Sequence, residues 1–254
     1  MAEPDATAPV AVRSGHATDV GRVRDHNEDS LLDAPGVWAV ADGLGGHAAG
    51  EVASRIAVEV LARLTDREVT GPDEVAAAVA EANERILAAQ DDHPGRRGMG
   101  TTVTGLALTS GEEPRWVVFN VGDSRVYRMG TGGLEQLTRD HSEVRELVEA
   151  GLLDPADAAT HPMRHVITRS LGATPDVVPE TWVRPVEPGE WFVLCSDGVT
   201  NELADDELAR VVRAATEPGA AARALVDAAV RAGGHDNATV VVVAVDTPHH
   251  AERG

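Results

Sequence analysis

Four pairs of neighbouring β-type runs in this chain are joined by five residues or fewer, and that brevity constrains the fold more than any other feature. The connections are Ala34-Pro35-Gly36, Ser110 to Pro114, Gly122-Asp123, and Glu187 to Glu190 with its Pro-Gly turn. A parallel pair needs a crossover of about a dozen residues or more, so the spacing predicts sheets that are mostly antiparallel. The runs cover residues 10–18, 30–32, 37–41, 101–109, 115–121, 125–129, 181–186, 191–195 and 238–245. Helical periodicity covers 47–64, 73–90, 143–150, 205–214 and 220–232. Helices grouped in the first third and near the end favour a layered α+β domain over a doubly wound one. A chain of 254 residues suits one large domain or two small ones. Residues 1–9 and 247–254 are expected to be a disordered start and a loose tail.

Charge narrows the functional classes. The 22 basic residues against 42 acidic ones leave a formal charge of −20, which disfavours nucleic acid and anionic membrane surfaces as partners and favours cations. Every basic residue is arginine, which removes Schiff-base chemistry and the lysine of phosphate-binding loops. The single Cys195 cannot form an internal disulfide, and no long apolar run or signal-like start is visible. A cytoplasmic protein with no membrane segment is the expectation.

The acids at strand ends carry the chemistry. Asp42 follows "VWAVA", Asp123 follows "WVVFNVG", Asp197 follows "WFVLCS", and Asp236 precedes "NATVVVVAV". In antiparallel sheets, exits of one set of strands and entries of the other share an edge, so four carboxylates can converge. Glu28 and Asp42 are equidistant from Pro35, and pairing "SLLD" with "VWAVA" would set them side by side as a fifth acid. Two like charges about 4 Å apart repel by about 4 kcal/mol at an effective dielectric near 20, so a cation belongs there. An all-oxygen set suits magnesium or manganese rather than zinc. Taken singly, each aspartate is better read as a turn or helix cap; taken together, that reading weakens.

The segments "VRDHNEDS", "VADGLGGH", "GTT" at Gly100 to Thr102, "NVGDSR", "LCSDGVTNEL" and "GGHDNATVVVV" stand in an order that resembles the metal-dependent protein serine/threonine phosphatases of type 2C, in their bacterial branch. The resemblance spans about residues 10 to 246 and implies a single catalytic domain. The implied fold is a four-layer α-β-β-α sandwich around two antiparallel sheets. The implied activity is hydrolysis of phosphoserine and phosphothreonine on proteins by a metal-bridging water, opposing Ser/Thr protein kinases in signalling.

Carried over by position, Asp42 resembles the carboxylate that bridges two Mn2+ or Mg2+ ions, and the Gly43 carbonyl a ligand of one of them. Asp197 and Asp236 match ligands of the first metal and Glu28 the second-metal position. Asp123, with Asp197 again, matches the pair that holds a third ion in many bacterial members. Asp29 and Asn237 resemble groups that orient ligands and waters. Arg24 matches the arginine that grips the substrate phosphate with a planar fork.

Leu44 departs from the eukaryotic pattern, in which a histidine stands there as the proposed general acid. Neither His47 nor a metal-bound water is favoured for that role. Residues 138–172 read as a structured insert resembling the family's flap, with Asp154, Pro155 and Asp157 opening a short helix. Its His141, His161 and His165 read first as locally bonded or solvated. A cysteine phosphatase would need arginine where Asn201 stands, six residues after Cys195, and no aspartate pair has the D-x-D spacing of haloacid-dehalogenase phosphatases. Two alternatives remain: a catalytically weak phosphoprotein-binding pseudophosphatase, and a dedicated phosphatase of an anti-sigma-factor antagonist. A monomer is expected.

Overall fold

A computed structural model of the protein describes residues 11–45, 49–158 and 160–247. The first nine residues, His47 and most of the C-terminal tail fall outside that set. The described strands are β1 (Val12–Asp19), β2 (Ser30–Ala34), β3 (Val37–Ala41), β4 (Gly43–Leu44), β5 (Gly100–Thr101), β6 (Val103–Leu108), β7 (Arg115–Val121), β8 (Arg125–Gly130), β9 (Gly133–Gln136), β10 (Glu180–Pro185), β11 (Trp191–Cys195) and β12 (Ala238–Val245). The helices are α1 (Ala49–Leu61), α2 (Pro72–Asp92), α3 (Glu143–Glu149), α4 (Pro155–Ala158), α5 (Asp197–Thr200), α6 (Asp205–Ala214) and α7 (Pro218–Ala232).

Two five-stranded sheets form the centre, in the orders β1-β12-β11-β8-β9 and β10-β7-β6-β3-β2. Every pairing is antiparallel. The period-two alternation of the strands explains the layers. In β3, Val37, Ala39 and Ala41 pack under α1 and α2, whereas Trp38 and Val40 face the other sheet. In β12, Val240 and Val242 lie against α7, whereas Val241, Val243 and Val245 face inward. Strands covered on both faces must read as continuous apolar runs, and "VWAVA" and "ATVVVVAV" do. The middle of the sandwich is closed by Trp116, whose ring meets Trp38 and Phe192 edge-on at centroid distances of 5.8 and 5.1 Å. This is the α-β-β-α order anticipated above.

The short connections divide into two kinds. Ala34 pairs with Val37, and β6 with β7, so those links close hairpins. By contrast, β7 and β8 lie in different sheets, as do β10 and β11. The "GDSR" link is therefore a step from one sheet to the other, not the hairpin it resembles in sequence. Such a step is as short as a hairpin because the sheets pack only about 10 Å apart. Three short strands, β4, β5 and β9, escape sequence reading because two to four residues carry no periodicity.

The hairpin register corrects one expectation. Ser30 pairs with Ala41 through a two-residue Pro35-Gly36 turn, so continuing the ladder brings Asp29, not Glu28, opposite Asp42. Glu28 instead lies against Gly43, where a Cβ would stand 2.5 Å from its carbonyl oxygen.

Candidate active site

The acids arrive from both sheets. Asp42 leaves β3 and Glu28 precedes β2, while Asp197 follows β11 and Asp236 precedes β12. Asp123 stands on the step between β7 and β8. All five line one open cleft of about 1070 Å³, together with Arg24, Gly43, Leu44 and Asn237. Asp29 does not line it, lying instead behind the cleft wall, where its Oδ2 accepts a hydrogen bond from Ser196 Oγ at 2.8 Å.

Local structure fixes each carboxylate by its backbone. The Asp42 N–H donates to Thr102 Oγ1 at 3.0 Å, and the Asp42 carbonyl accepts from Thr102 N at 2.9 Å and Thr101 Oγ1 at 2.8 Å. Thr102 Oγ1 also pairs with Ser124 Oγ at 2.8 Å, tying the Asp42 turn to the turn that carries Asp123. Gly43 cannot bear a side chain, because its Cβ would meet the Gly50 backbone at 2.5 Å where α1 begins. Gly122, at φ +112° and against Thr102, is likewise restricted to glycine. Asn237 joins three segments: its Oδ1 accepts from Glu28 N at 2.8 Å, and its Nδ2 donates to the carbonyls of Val20 and His26, each at 2.9 Å.

The electrostatics are those of crowded carboxylates. Burial pushes the Asp42 carboxyl well above the usual carboxylate range, and the charges of Asp29, Asp197 and Asp123 push it further. Burial, with Asp197 and Asp140 nearby, raises Asp123 to about 8, and burial raises Asp29 to about 7. Asp197 is raised mainly by burial, against hydrogen bonds from Asp42 and from Asn201, the latter at 3.0 Å. Asp123 Oδ1 is buried without a hydrogen-bond partner. Arg24 offsets part of the charge through an ion pair with Asp236 at 2.6 Å.

An oxygen-only donor set with an unsatisfied buried carboxylate oxygen fits a hard divalent cation. Among the described residues no three His, Cys, Asp or Glu side chains already converge on one ligating point. Asp42 and Asp197 already share a hydrogen bond, and a bound cation would draw the remaining carboxylates of the cleft toward them.

The segment 138–172 supplies the opposite wall of the cleft through Val144, Arg145, Arg164, His165 and Ile167. Its short helix opens as expected, with Asp154 Oδ1 accepting from Ala156 N at 2.9 Å. The three histidines part company: His165 faces the cleft, His161 is half-buried and accepts from Met163 N, and His141 is 4% exposed and locally bonded. Sequence reading passed over Asp140, which faces the cleft and holds Arg125 through both of its oxygens. Its signal was the neighbouring Thr-Arg-Asp-His run, which lacks the strand-end context that marked the other acids. Leu44 lines the cleft where the eukaryotic pattern has histidine.

Comparison with known proteins gives the same family from three directions. The family model for protein phosphatase 2C matches residues 21–232. The serine/threonine protein phosphatase PstP of Mycobacterium tuberculosis is 37% identical over 242 residues, covering 94% of this chain. This chain spans only about half of that relative's length, 46%. The serine/threonine phosphatase stp of Listeria monocytogenes is 35% identical over 242 residues, covering 90% of this chain and 94% of its own length. The crystal structure of the PstP catalytic domain in complex with two manganese ions superposes with a TM-score of 0.85 at 37% identity, covering 93% of this chain and 99% of that one. With its motifs in order, its two sheets in place and its acids gathered at their shared edge, the chain belongs to the protein phosphatase 2C family, among the bacterial serine/threonine phosphatases.

Proposed function

We propose that this protein hydrolyses phosphoserine and phosphothreonine on proteins, using two Mn2+ or Mg2+ ions held by the acidic edge. The observation that carries the reading is the convergence of Glu28, Asp42, Asp123, Asp197 and Asp236 on one cleft that also presents Arg24. Family membership and the two manganese ions of the PstP structure support it.

In this reading Asp42 would be shared by the two ions, and the Gly43 carbonyl would serve one of them. Asp197 and Asp236 complete the first position, Glu28 serves the second, and Asp123 with Asp197 serves a third. Bound ions would supply a nucleophilic water at neutral pH and would stabilise charge on the transferred phosphoryl group. The chain's own part is positional. Arg24 carries its guanidinium at the rim, where it can exchange Asp236 for a phosphate and grip two of its oxygens. Asn237 holds the Glu28 segment against β12, and Asp29, held by Ser196, adds its charge behind Asp42. The wall from 138–172 bounds the space left for a phosphorylated polypeptide.

The catalytic domain in this reading is residues 10–246 with the flap at 138–172. Phosphorylated Ser/Thr kinases and their substrates are its partners, the cytoplasm its setting and the monomer its working form. No described helix is long and apolar enough to cross a membrane. Turnover of p-nitrophenyl phosphate and phosphopeptides should require added Mn2+ or Mg2+ and vanish in EDTA. Full turnover in EDTA would end the two-metal reading.

A further inference from the structure

Among the described residues, His141 is the buried histidine that the proposed chemistry leaves unused, yet it bonds both to the glycine beside Asp123 and to the flap. Its main-chain N–H donates to the Gly122 carbonyl at 2.9 Å, and its Nδ1 accepts from the Gly122 N–H at 3.0 Å. One residue thus holds both polar backbone groups of the glycine next to Asp123. Because a backbone N–H can only donate, Nδ1 carries no proton and Nε2 does. The Nε2–H then points to Glu180 Oε1 at 3.2 Å, while the guanidinium of Arg169 lies beside it at 3.3 Å. Arg139 reaches the same glutamate oxygen at 3.3 Å. On the flap side, the His141 carbonyl accepts from Thr168 N at 2.9 Å.

Gly122 depends on this clamp. Its φ of +112° and its contact with Thr102 leave it no side chain of its own to bond with. Asn120 Nδ2 adds a second bond to its carbonyl at 3.0 Å, but among the described residues only His141 serves its N–H. The next residue carries the buried carboxylate oxygen that has no partner.

We propose that His141 is a positioning residue for Asp123, clamping the Gly122-Asp123 turn to the flap through Nδ1 so that the two move as one unit. The proposal rests on the reading of Asp123 as a metal-facing group. A positioning group of this kind typically governs metal affinity by roughly 10- to 100-fold.

Three variants separate the atoms involved. Asparagine places an oxygen acceptor where Nδ1 stands, glutamine places its amide near the Nε2 position, and leucine offers neither. The first measurement is hydrogen exchange of the Gly122 amide in the metal-free full chain; the second is Mn2+ binding by calorimetry. His141→Leu and His141→Gln should speed Gly122 exchange roughly tenfold or more and weaken the lowest-affinity Mn2+ site by roughly 10- to 100-fold. His141→Asn should keep both near wild type. Wild-type exchange in His141→Gln, or loss in His141→Asn as large as in His141→Gln, would overturn the proposal, and the glutamine and asparagine pair decides the matter even if the leucine variant does not fold. Should the wild type bind no Mn2+, the metal reading fails while the exchange comparison still judges the clamp.

Discussion

Thr102→Val tests how the fold aims Asp42. Thr102 is fully buried, and its Oγ1 serves two partners, the Asp42 N–H at 3.0 Å and Ser124 Oγ at 2.8 Å. Valine keeps the shape and removes the oxygen. The Asp42 N–H is then left without an acceptor, and a buried polar group left unsatisfied costs about 1–3 kcal/mol. The Ser124 hydroxyl can rotate, so its loss is smaller. A total of about 2 kcal/mol corresponds, for a domain of this length, to a fall in Tm of roughly 4–8 °C. Because the lost bond fixes the residue proposed to lie between two ions, Mn2+ affinity should fall by roughly 10- to 100-fold. Thermal melts of the metal-free protein and Mn2+ titration by calorimetry measure the two effects, with Thr102→Ser, which keeps the oxygen, as the control. A Thr102→Val protein with wild-type Tm and wild-type Mn2+ affinity would refute the argument that this hydroxyl holds the turn.

Three further outcomes follow from the same geometry. Asp42→Asn should abolish turnover while leaving the metal-free Tm unchanged or raised, since it replaces a carboxyl whose ionised form is opposed by burial and by the charges of Asp29, Asp197 and Asp123; retained turnover would contradict its central role. Arg24→Ala should lower kcat/KM for phosphopeptides, mainly through KM, and an unchanged kcat/KM would remove its phosphate role. Metal-free protein should lose stability as pH rises from about 4 to about 8. Burial holds Asp29 at about 7 and Asp123 at about 8, so over that window the native state keeps protons that the unfolded chain has released, and the slope of stability against pH is negative. Urea midpoints at pH 5 and pH 8 check the sign, and a midpoint that rises with pH would show the carboxylates are not crowded.

The sequence makes the antiparallel sheets and the acid-bearing strand ends legible because both rest on long apolar runs and short connections. The partition of strands between sheets is not legible, since Gly122-Asp123 looks the same whether it turns a hairpin or steps across the sandwich. Register fails for a related reason: Ala34-Pro35-Gly36 reads as a three-residue link, whereas the turn uses only Pro35 and Gly36. That single-residue difference moves Asp29 into the place opposite Asp42 and makes its charge, after burial, the largest influence on the Asp42 carboxyl. Thr102 and His141 act through backbone groups of residues distant in sequence, and no periodicity or composition signals such bonds.

The placement of β12 between β1 and β11 sets an order on biogenesis. Asp236 sits at the entrance to that strand, and the strands flanking it come from residues 12–19 and 191–195. A nascent chain that has emerged only as far as the flap already carries Glu28, Asp42 and Asp123, yet it lacks the strand that joins the earliest segment to the latest. Half-made protein therefore exposes an incomplete acidic rim, and the proposed phosphatase activity should switch on only after β12 has been made and has paired with β1 and β11.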